Sequence, residues 1–399
     1  MLTPAEADVA IAAALEQVPD EELPLSACAG RALRRAVRAE RDSPPFDRVT
    51  MDGIAFAGAP EGGARRKFRM AGIAPAGAPA LKLESPSDCI EVMTGAVLPL
   101  GCDTVVPVER IRATHGKVSI DDAYEPKAWL HVHRRAADAR AGDLLLEPGT
   151  RLGAPELAIA ASAGLARLTV SRLPRIAVIS TGDELVEPGN PILDHQLRRS
   201  NSYGLGAALT LAGFAPATDL HLPDRKDRLA SSLEAALDTH DVLVLSGGVS
   251  AGRFDHVPGV LEALRVKKIL HQIAQRPGRP LWFGVGEAGQ AVFALPGNPV
   301  SALVCLARYV RPALARLCGA QGPAPVKAAL AREFAFEAPL TCFLPVLLLY
   351  DRDGRAMAEP RPTGGSGDFV SLAGTDGFVE LPRGPATHRA GLVVPFHHW

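Results

Sequence analysis

Three short stretches combine glycine with hydroxyl and carboxylate side chains, each directly after an apolar run. Ser180-Thr181-Gly182-Asp183-Glu184 follows Ile176-Ala177-Val178-Ile179. Ser246-Gly247-Gly248-Val249-Ser250 follows Val242-Leu243-Val244-Leu245. Leu295-Pro296-Gly297-Asn298-Pro299 precedes a helical pattern. Glycine lets backbone N–H groups come close to an anion, and a helix start adds a favourable dipole. Hydroxyls supply further donors. Three such loops point to a phosphate-bearing or nucleotide-like ligand, although each taken alone also suits a plain turn.

Asp183, Glu184 and Asp255 stand beside these loops. Carboxylates next to phosphate suit a bridging Mg²⁺, which takes one or two of them plus phosphate oxygens. The same residues also suit helix N-caps. Arg276-Pro277-Gly278-Arg279-Pro280 sets two guanidinium groups on a stiff loop. Such groups hold oxyanions through paired donors, and a solvated turn is the other reading of the same residues. A second family of polar loops lies earlier in the chain. Ser43-Pro44-Pro45-Phe46-Asp47 leads into Met51-Asp52-Gly53, Met93-Thr94-Gly95-Ala96 comes after it, and Arg134, Arg135 and Asp138 close the region.

The elements that must carry these residues fall into four regions. Residues 1–42 and 139–173 form a helical/linker domain split in sequence, with a helix expected over 3–40 from apolar positions at Val9, Ile11, Ala12 and Leu15 and another near 154–164. Residues 43–138 are rich in Gly, Pro and short β-like runs and read as a β-rich insertion. Residues 174–322 alternate strand, loop and helix. That rhythm predicts a parallel α/β sheet, with ligands outside the carboxyl ends of its strands. Residues 323–399 lack helical period and read as a small β-barrel or sandwich.

Composition narrows the function classes. The chain has 399 residues, 47% hydrophobic, with a formal net charge of −1. Bulk charge gives no reason to expect nucleic acid as a partner. The six cysteines are scattered, without a CxxC pair, as in a reduced thiol set. The apolar run at 343–350 is too short to span a bilayer, and the acidic start carries no secretory pattern. A cytoplasmic protein with no membrane partner is expected.

The motifs PPFDRVTMDGIAF, VMTGAVLPLGCDTVV, AGDLLLEPGTRL, ISTGDELVEPG, LSGGVSAGRFDHV, RPGRP and LPGNPVSA occur in this order. In that order they resemble the molybdopterin molybdenumtransferase family, which includes the E domain of gephyrin. The resemblance runs from about residue 43 to 302 and more loosely to the C-terminus. It implies a four-domain homodimer whose active site lies between the α/β domain of one subunit and the insertion of the other. It implies insertion of molybdate into adenylylated molybdopterin, with release of AMP and with Mg²⁺ as the divalent cation. The molybdopterin adenylyltransferase is an implied partner.

Carried over residue by residue, the resemblance makes Asp52, Thr94, Asp138, Glu184, Asp224 and Asp255 catalytic, with Glu184 and Asp255 toward the metal. Thr181, Gly182, Asp183, Ser246, Gly247, Gly248, Ser250, Pro296, Gly297 and Asn298 cradle the pterin and adenylate. Arg276, Arg279 and Ser366 of GGSG face the oxyanion. The chain departs from the family in three places. Arginines stand at 276 and 279 where lysines are frequent. Leu340-Thr341-Cys342-Phe343-Leu344-Pro345 lacks the family's basic residues. Ala136 and Ala137 replace the more usual Gly and Glu. Two other functions share parts of this pattern: a molybdopterin adenylyltransferase, whose loop is more often GGTG, and a non-catalytic molybdopterin-binding scaffold.

Overall fold

The structure is a computed structural model, and it describes residues 1–58, 65–249, 256–322, 326–384 and 386–399. Ser250 and Asp255 therefore lie outside the described residues. The chain forms two compact units. One comprises Met1–Arg34, Pro148–Gly153 and Arg167–Trp399; the other comprises Arg35–Glu147 and Ala154–Ala166.

In the first unit a helix, Pro4–Ala14, starts at Thr3 through a capping box: Glu6 N–H donates to Thr3 Oγ1 at 3.3 Å and Thr3 N–H donates to Glu6 Oε2 at 2.7 Å. This helix is shorter than the expected 3–40. It buries Ala7 and Ile11 and leaves Val9 in solvent. Pro19 then precedes the strand Asp20–Pro24, which pairs antiparallel with Arg167–Ser171. Proline lacks the N–H that a continuing helix needs, so the chain leaves the helix before Pro19.

The central sheet has six strands in the order Thr218–Leu222, Ile176–Thr181, Val242–Ser246, Ala291–Leu295, Trp282–Val285, Lys267–His271. The first four are parallel, and the last two pair antiparallel along the chain of neighbours. The expected parallel sheet is thus mixed at one edge. The reason is local: only residues 286–290, with Gly289 at φ +85°, link Trp282–Val285 to Ala291–Leu295. A parallel crossover needs a dozen residues or more, whereas this length makes a hairpin.

The central strands Val242–Ser246 and Ala291–Leu295 are buried throughout, as expected for a sheet covered on both faces. Phe283, Phe293, Leu205 and Tyr309 fill one side, and Trp282, Leu233, Leu243 and Val257 the other. The closing helix, 299–317, is α-helical at Pro299–Cys305 and Arg311–Leu317 with a π-turn at Leu306–Val310 between them.

Beyond it, Thr341–Tyr350, Ala356–Pro360, Lys327–Leu330, Val393–His398 and Gly377–Leu381 pair in a ring and close a five-stranded barrel. The short strand Gln275–Arg276 of the α/β region pairs in parallel with Thr341 and Cys342 of the barrel. Arg308 fastens the same region. It forms a bidentate pair with Asp8 at 2.7 and 2.8 Å and reaches Glu380 at 2.8 Å.

The second unit is built on another six-stranded sheet, ordered Thr104–Pro107, Gly53–Phe56, Asp88–Val92, Lys67–Ala74, Lys117–Ile120, Ile111–Thr114. Its core includes Ile54, Phe56, Phe68, Ile90 and Val106. The helix Ala154–Ser162 belongs to this unit.

Candidate active site

The carboxyl ends of the parallel strands open onto a cleft of about 1370 Å³ within the first unit. Its walls bring together Thr181, Glu184, Asp224, Ser246, Gly247, Gly248, Arg276, Arg279, Pro296, Gly297, Asn298 and Ser366. Gly182 and Asp183 are not among the lining residues but connect two of them, Thr181 and Glu184. Asp183 Oδ1 accepts the Asp224 N–H at 3.2 Å, and His221 Nε2 donates to the Gly182 carbonyl at 2.9 Å.

The two glycines after Val242–Ser246 are there for conformation and for space. Gly247 has φ +107°, and a Cβ on it would lie 2.7 Å from Thr181 Oγ1 and 2.8 Å from the Thr181 carbonyl oxygen. Gly248 has φ +66°, and its Cβ would meet the Val257 side chain at 2.7 Å. Neighbouring strands therefore end close together and leave backbone facing the cleft. The Ser180 and Thr181 hydroxyls are buried here with no hydrogen-bond partner among the described residues. Buried hydroxyls that find no partner in the protein are suited to a polar ligand.

Asn201, at the start of the helix Asn201–Leu211, ties two of the loops. Its Nδ2 donates to Ser246 Oγ at 2.7 Å and to the Gly297 carbonyl at 2.8 Å. Asn298, the residue before the helix Pro299–Cys305, donates from Nδ2 to Ser366 Oγ at 2.7 Å, and the Val300 N–H donates to the Ser366 carbonyl at 3.1 Å. Ser366 is thereby held at that helix start. Sequence reasoning alone missed Asn201 as a site residue, because an asparagine at the start of a helical pattern is accounted for by the helix. Its place directly after Arg198-Arg199-Ser200 is the signal that could have found it.

Charge divides the cleft. Burial, then the negative charges of Glu184 and Asp183, push the Asp224 carboxyl above its ordinary value. Arg276 and Arg279 also line the cleft and are exposed, and neither guanidinium makes an ion pair or side-chain hydrogen bond among the described residues. Two further cations line it. Arg199 is committed to Glu187 at 2.8 Å and to Asp219, whereas Arg198 Nη1 donates to the Glu187 and Asn190 carbonyls. The barrel wall offers Phe334, Phe336, Leu340, Phe343 and Leu344, and no cation from residues 340–345.

In the second unit, Asp52 and Thr94 meet. Asp52 Oδ1 accepts the Thr94 N–H at 2.6 Å and the Thr94 hydroxyl at 2.7 Å, and these two bonds hold its carboxyl below the ordinary range. Asp138 is engaged elsewhere, 2.9 Å from His133 Nε2. Arg134 and Arg135 pair with Asp47 at 3.0 Å and Asp42 at 2.7 Å. Among the described residues no group of three or more His, Cys, Asp or Glu side chains could by itself hold a metal ion, and no helix is long and apolar enough to cross a membrane.

Comparison with known proteins matches the chain from end to end. Residues 2–164 match the family model "MoeA N-terminal region (domain I and II)". Residues 177–316 match "Probable molybdopterin binding domain", and residues 327–399 match "MoeA C-terminal region (domain IV)". The molybdopterin molybdenumtransferase of a Synechocystis species is 40% identical, over 98% of this chain and 100% of its own. The one from a Nostoc species is 33% identical, over 95% of this chain and 88% of its own. A solved structure, the molybdopterin biosynthesis MoeA protein from Pyrococcus horikoshii, is 30% identical and superposes with a TM-score of 0.79, covering 100% of this chain and 99% of that one. With these three matched regions and relatives of this identity along its length, the chain belongs to the molybdopterin molybdenumtransferase family.

Proposed function

We propose that the protein inserts molybdate into adenylylated molybdopterin with release of AMP, using the cleft at the sheet's carboxyl edge. The observation that carries this reading is the convergence there of three glycine loops with two buried hydroxyls that have no partner and two arginines that have no ion pair among the described residues. The glycine loops and hydroxyls suit phosphate oxygens. Arg276 and Arg279 suit the tetrahedral molybdate dianion. Cleavage of a phosphoric anhydride depends more on neutralising developing charge than on a covalent nucleophile, and this donor set is of that kind.

Mg²⁺ fits the acidic side of the cleft. Glu184 and Asp224 supply the one or two carboxylates that Mg²⁺ takes alongside phosphate oxygens. The like charges that disfavour ionised Asp224 are a load that a dication relieves. When bound, the ion neutralises phosphate charge. Asp255 is a further ligand in this reading, and it lies outside the described residues. Asp224 and Glu184 hold the acidic wall, and Asn201 and Asn298 keep the loops in register around the substrate.

The active assembly in this reading is a homodimer, in which the Asp52–Thr94 pair and Asp138 of one copy serve the cleft of a second copy. The substrate comes from the molybdopterin adenylyltransferase, and both proteins are cytoplasmic. The test is incubation with adenylylated molybdopterin, molybdate and Mg²⁺, measuring AMP release and cofactor formation, with sedimentation for the dimer. Substrate binding without AMP release would replace the enzyme by a scaffold. Asp255→Asn is expected to keep its melting temperature and lose most AMP release. Normal turnover in that variant, with a loss of about 1 kcal/mol for Asp255→Ala, would make the residue a helix cap instead.

A further inference from the structure

Gln275 and Tyr309 form a buried polar contact that packing alone does not require. Gln275 is fully buried, yet it carries an amide directly beside the Arg276–Arg279 loop. The Tyr309 hydroxyl donates to Gln275 Oε1, and Gln275 Nε2 donates to the Pro277 carbonyl at 3.2 Å. Cys305 Sγ approaches the Gly278 carbonyl at 3.6 Å and Gln275 Nε2 at 3.8 Å. A Cβ on Gly278, at φ +88°, would come within 2.5 Å of that sulfur and 2.8 Å of that amide nitrogen. Both residues between the two arginines are thus gripped from beneath by side chains of the closing helix and by Gln275.

Tyr309 sits in the π-turn Leu306–Val310, whose five residues are all buried. Its neighbour Arg308 also turns inward, to Asp8 and Glu380. A π-turn adds a residue to the helical repeat and rotates the turns after it, which is why such turns gather at functional sites. Buried polar groups are costly unless every partner is in place. Here the amide oxygen and nitrogen both have partners, and the carbonyl to which the nitrogen donates lies within the loop.

We propose that Gln275 and Tyr309 are positioning residues that set the direction in which Arg276 and Arg279 face the oxyanion. This rests on the reading of those arginines as the molybdate holders. The grip acts through the loop backbone, so it governs the affinity for the oxyanion and leaves the glycine cradle unchanged.

The test is a set of five variants of the full-length protein: Gln275→Met, Tyr309→Phe, Arg276→Ala, Arg279→Ala and the double variant Tyr309→Phe with Arg276→Ala. KM for molybdate, kcat, affinity for adenylylated molybdopterin and melting temperature are measured for each. Tyr309→Phe keeps the ring and removes only the donor. It is expected to raise KM for molybdate by about three- to tenfold, the equivalent of one lost hydrogen bond, with kcat and pterin affinity within about twofold. Gln275→Met is expected to do the same or more. Tyr309→Phe combined with Arg276→Ala should raise KM by less than the product of the single effects, because the grip matters only while the guanidinium is present. A lower melting temperature with an unchanged KM in both Gln275→Met and Tyr309→Phe, while the arginine variants raise KM, would overturn the positioning role and leave the arginine reading standing. Unchanged KM in Arg276→Ala and Arg279→Ala would overturn both.

Discussion

Replacing Asn201 by aspartate separates a loop staple from a helix cap. The side chain has nearly the same size, and Asn201 begins its helix, so a carboxylate there gains about 0.3–1 kcal/mol from the helix dipole. Against that stand the two bonds of the amide. The Ser246 hydroxyl can reverse and donate to a carboxylate, so that contact survives. The Gly297 carbonyl cannot. It loses its donor at 2.8 Å and faces a negative oxygen in its place. Gly297 is exposed, so water can take the lost donor's place and the loss is that of one ordinary hydrogen bond, about 0.5–1.5 kcal/mol. The two contributions nearly balance, with a net loss of about 1 kcal/mol or less. Asn201→Ala loses both bonds, about 1–3 kcal/mol before water enters the space it leaves.

Asn201→Asp is therefore expected to weaken binding of adenylylated molybdopterin more than Asn201→Ala does, since it also sets a negative charge among the loops proposed to cradle phosphate. The assay is calorimetric titration of both variants with that ligand, at one salt concentration, beside their melting curves. If Asn201→Asp binds as tightly as wild type and melts higher, the dipole term dominates and Asn201 is a helix-start residue that ties nothing.

Asp224 and Gly247 give two more expectations. The Asp224 carboxyl has a folded-state value raised above its ordinary one, so its contribution to stability is present at low pH and is lost as pH rises through the raised value. Asp224→Asn should thus melt higher than wild type at neutral pH, with the gap closing on acidification, and should lose the part of the Mg²⁺-dependent stabilisation that its charge supplies. Equal melting temperatures at neutral pH would refute the account in which burial and like charge disfavour the ionised carboxyl. Gly247→Ala must place a methyl against the Thr181 backbone at positive φ, a strain and overpacking cost of roughly 2–4 kcal/mol, read as a large drop in melting temperature and loss of pterin binding. A variant that melts within a degree of wild type would show that this turn is not tight.

The cleft was legible in the sequence wherever one short stretch held both the strand and its loop. Val242-Leu243-Val244-Leu245 followed by Ser246-Gly247-Gly248 states a buried strand and a tight exit within seven residues. Asp52 and Thr94 could be named as separate motifs, but the hydrogen bonds joining them cross 42 positions. The Gln275–Tyr309 contact crosses 34, and no local pattern distinguishes a buried glutamine from a surface one. The mixed sheet edge had a local signal that the strand-and-helix rhythm masked: no helix fits into residues 286–290. At the N-terminus the apolar spacing of Val9, Ile11, Ala12 and Leu15 marked a helix but neither its full buried face nor its end. Val9 is 69% exposed, and alanine-rich sequence favours helix without saying which face is buried or where the helix stops.

Closure of the C-terminal barrel also bears on how the chain avoids aggregating. A ring of strands has no open rim onto which another chain could add a strand. The central sheet does have two rims, and both are poor templates. Thr218–Leu222 is five residues long and carries Asp219 and His221, and Lys267–His271 opens with two adjacent lysines. Charges on an outer strand repel an incoming β-segment. The apolar strands most prone to cross-chain pairing, Val242–Ser246 and Ala291–Leu295, are in the middle of the sheet with partners on both sides. In a partly folded chain these two strands are the ones that must be covered first, and neutralising Lys267 and Lys268 together would leave the outer rim of the sheet open to a second chain.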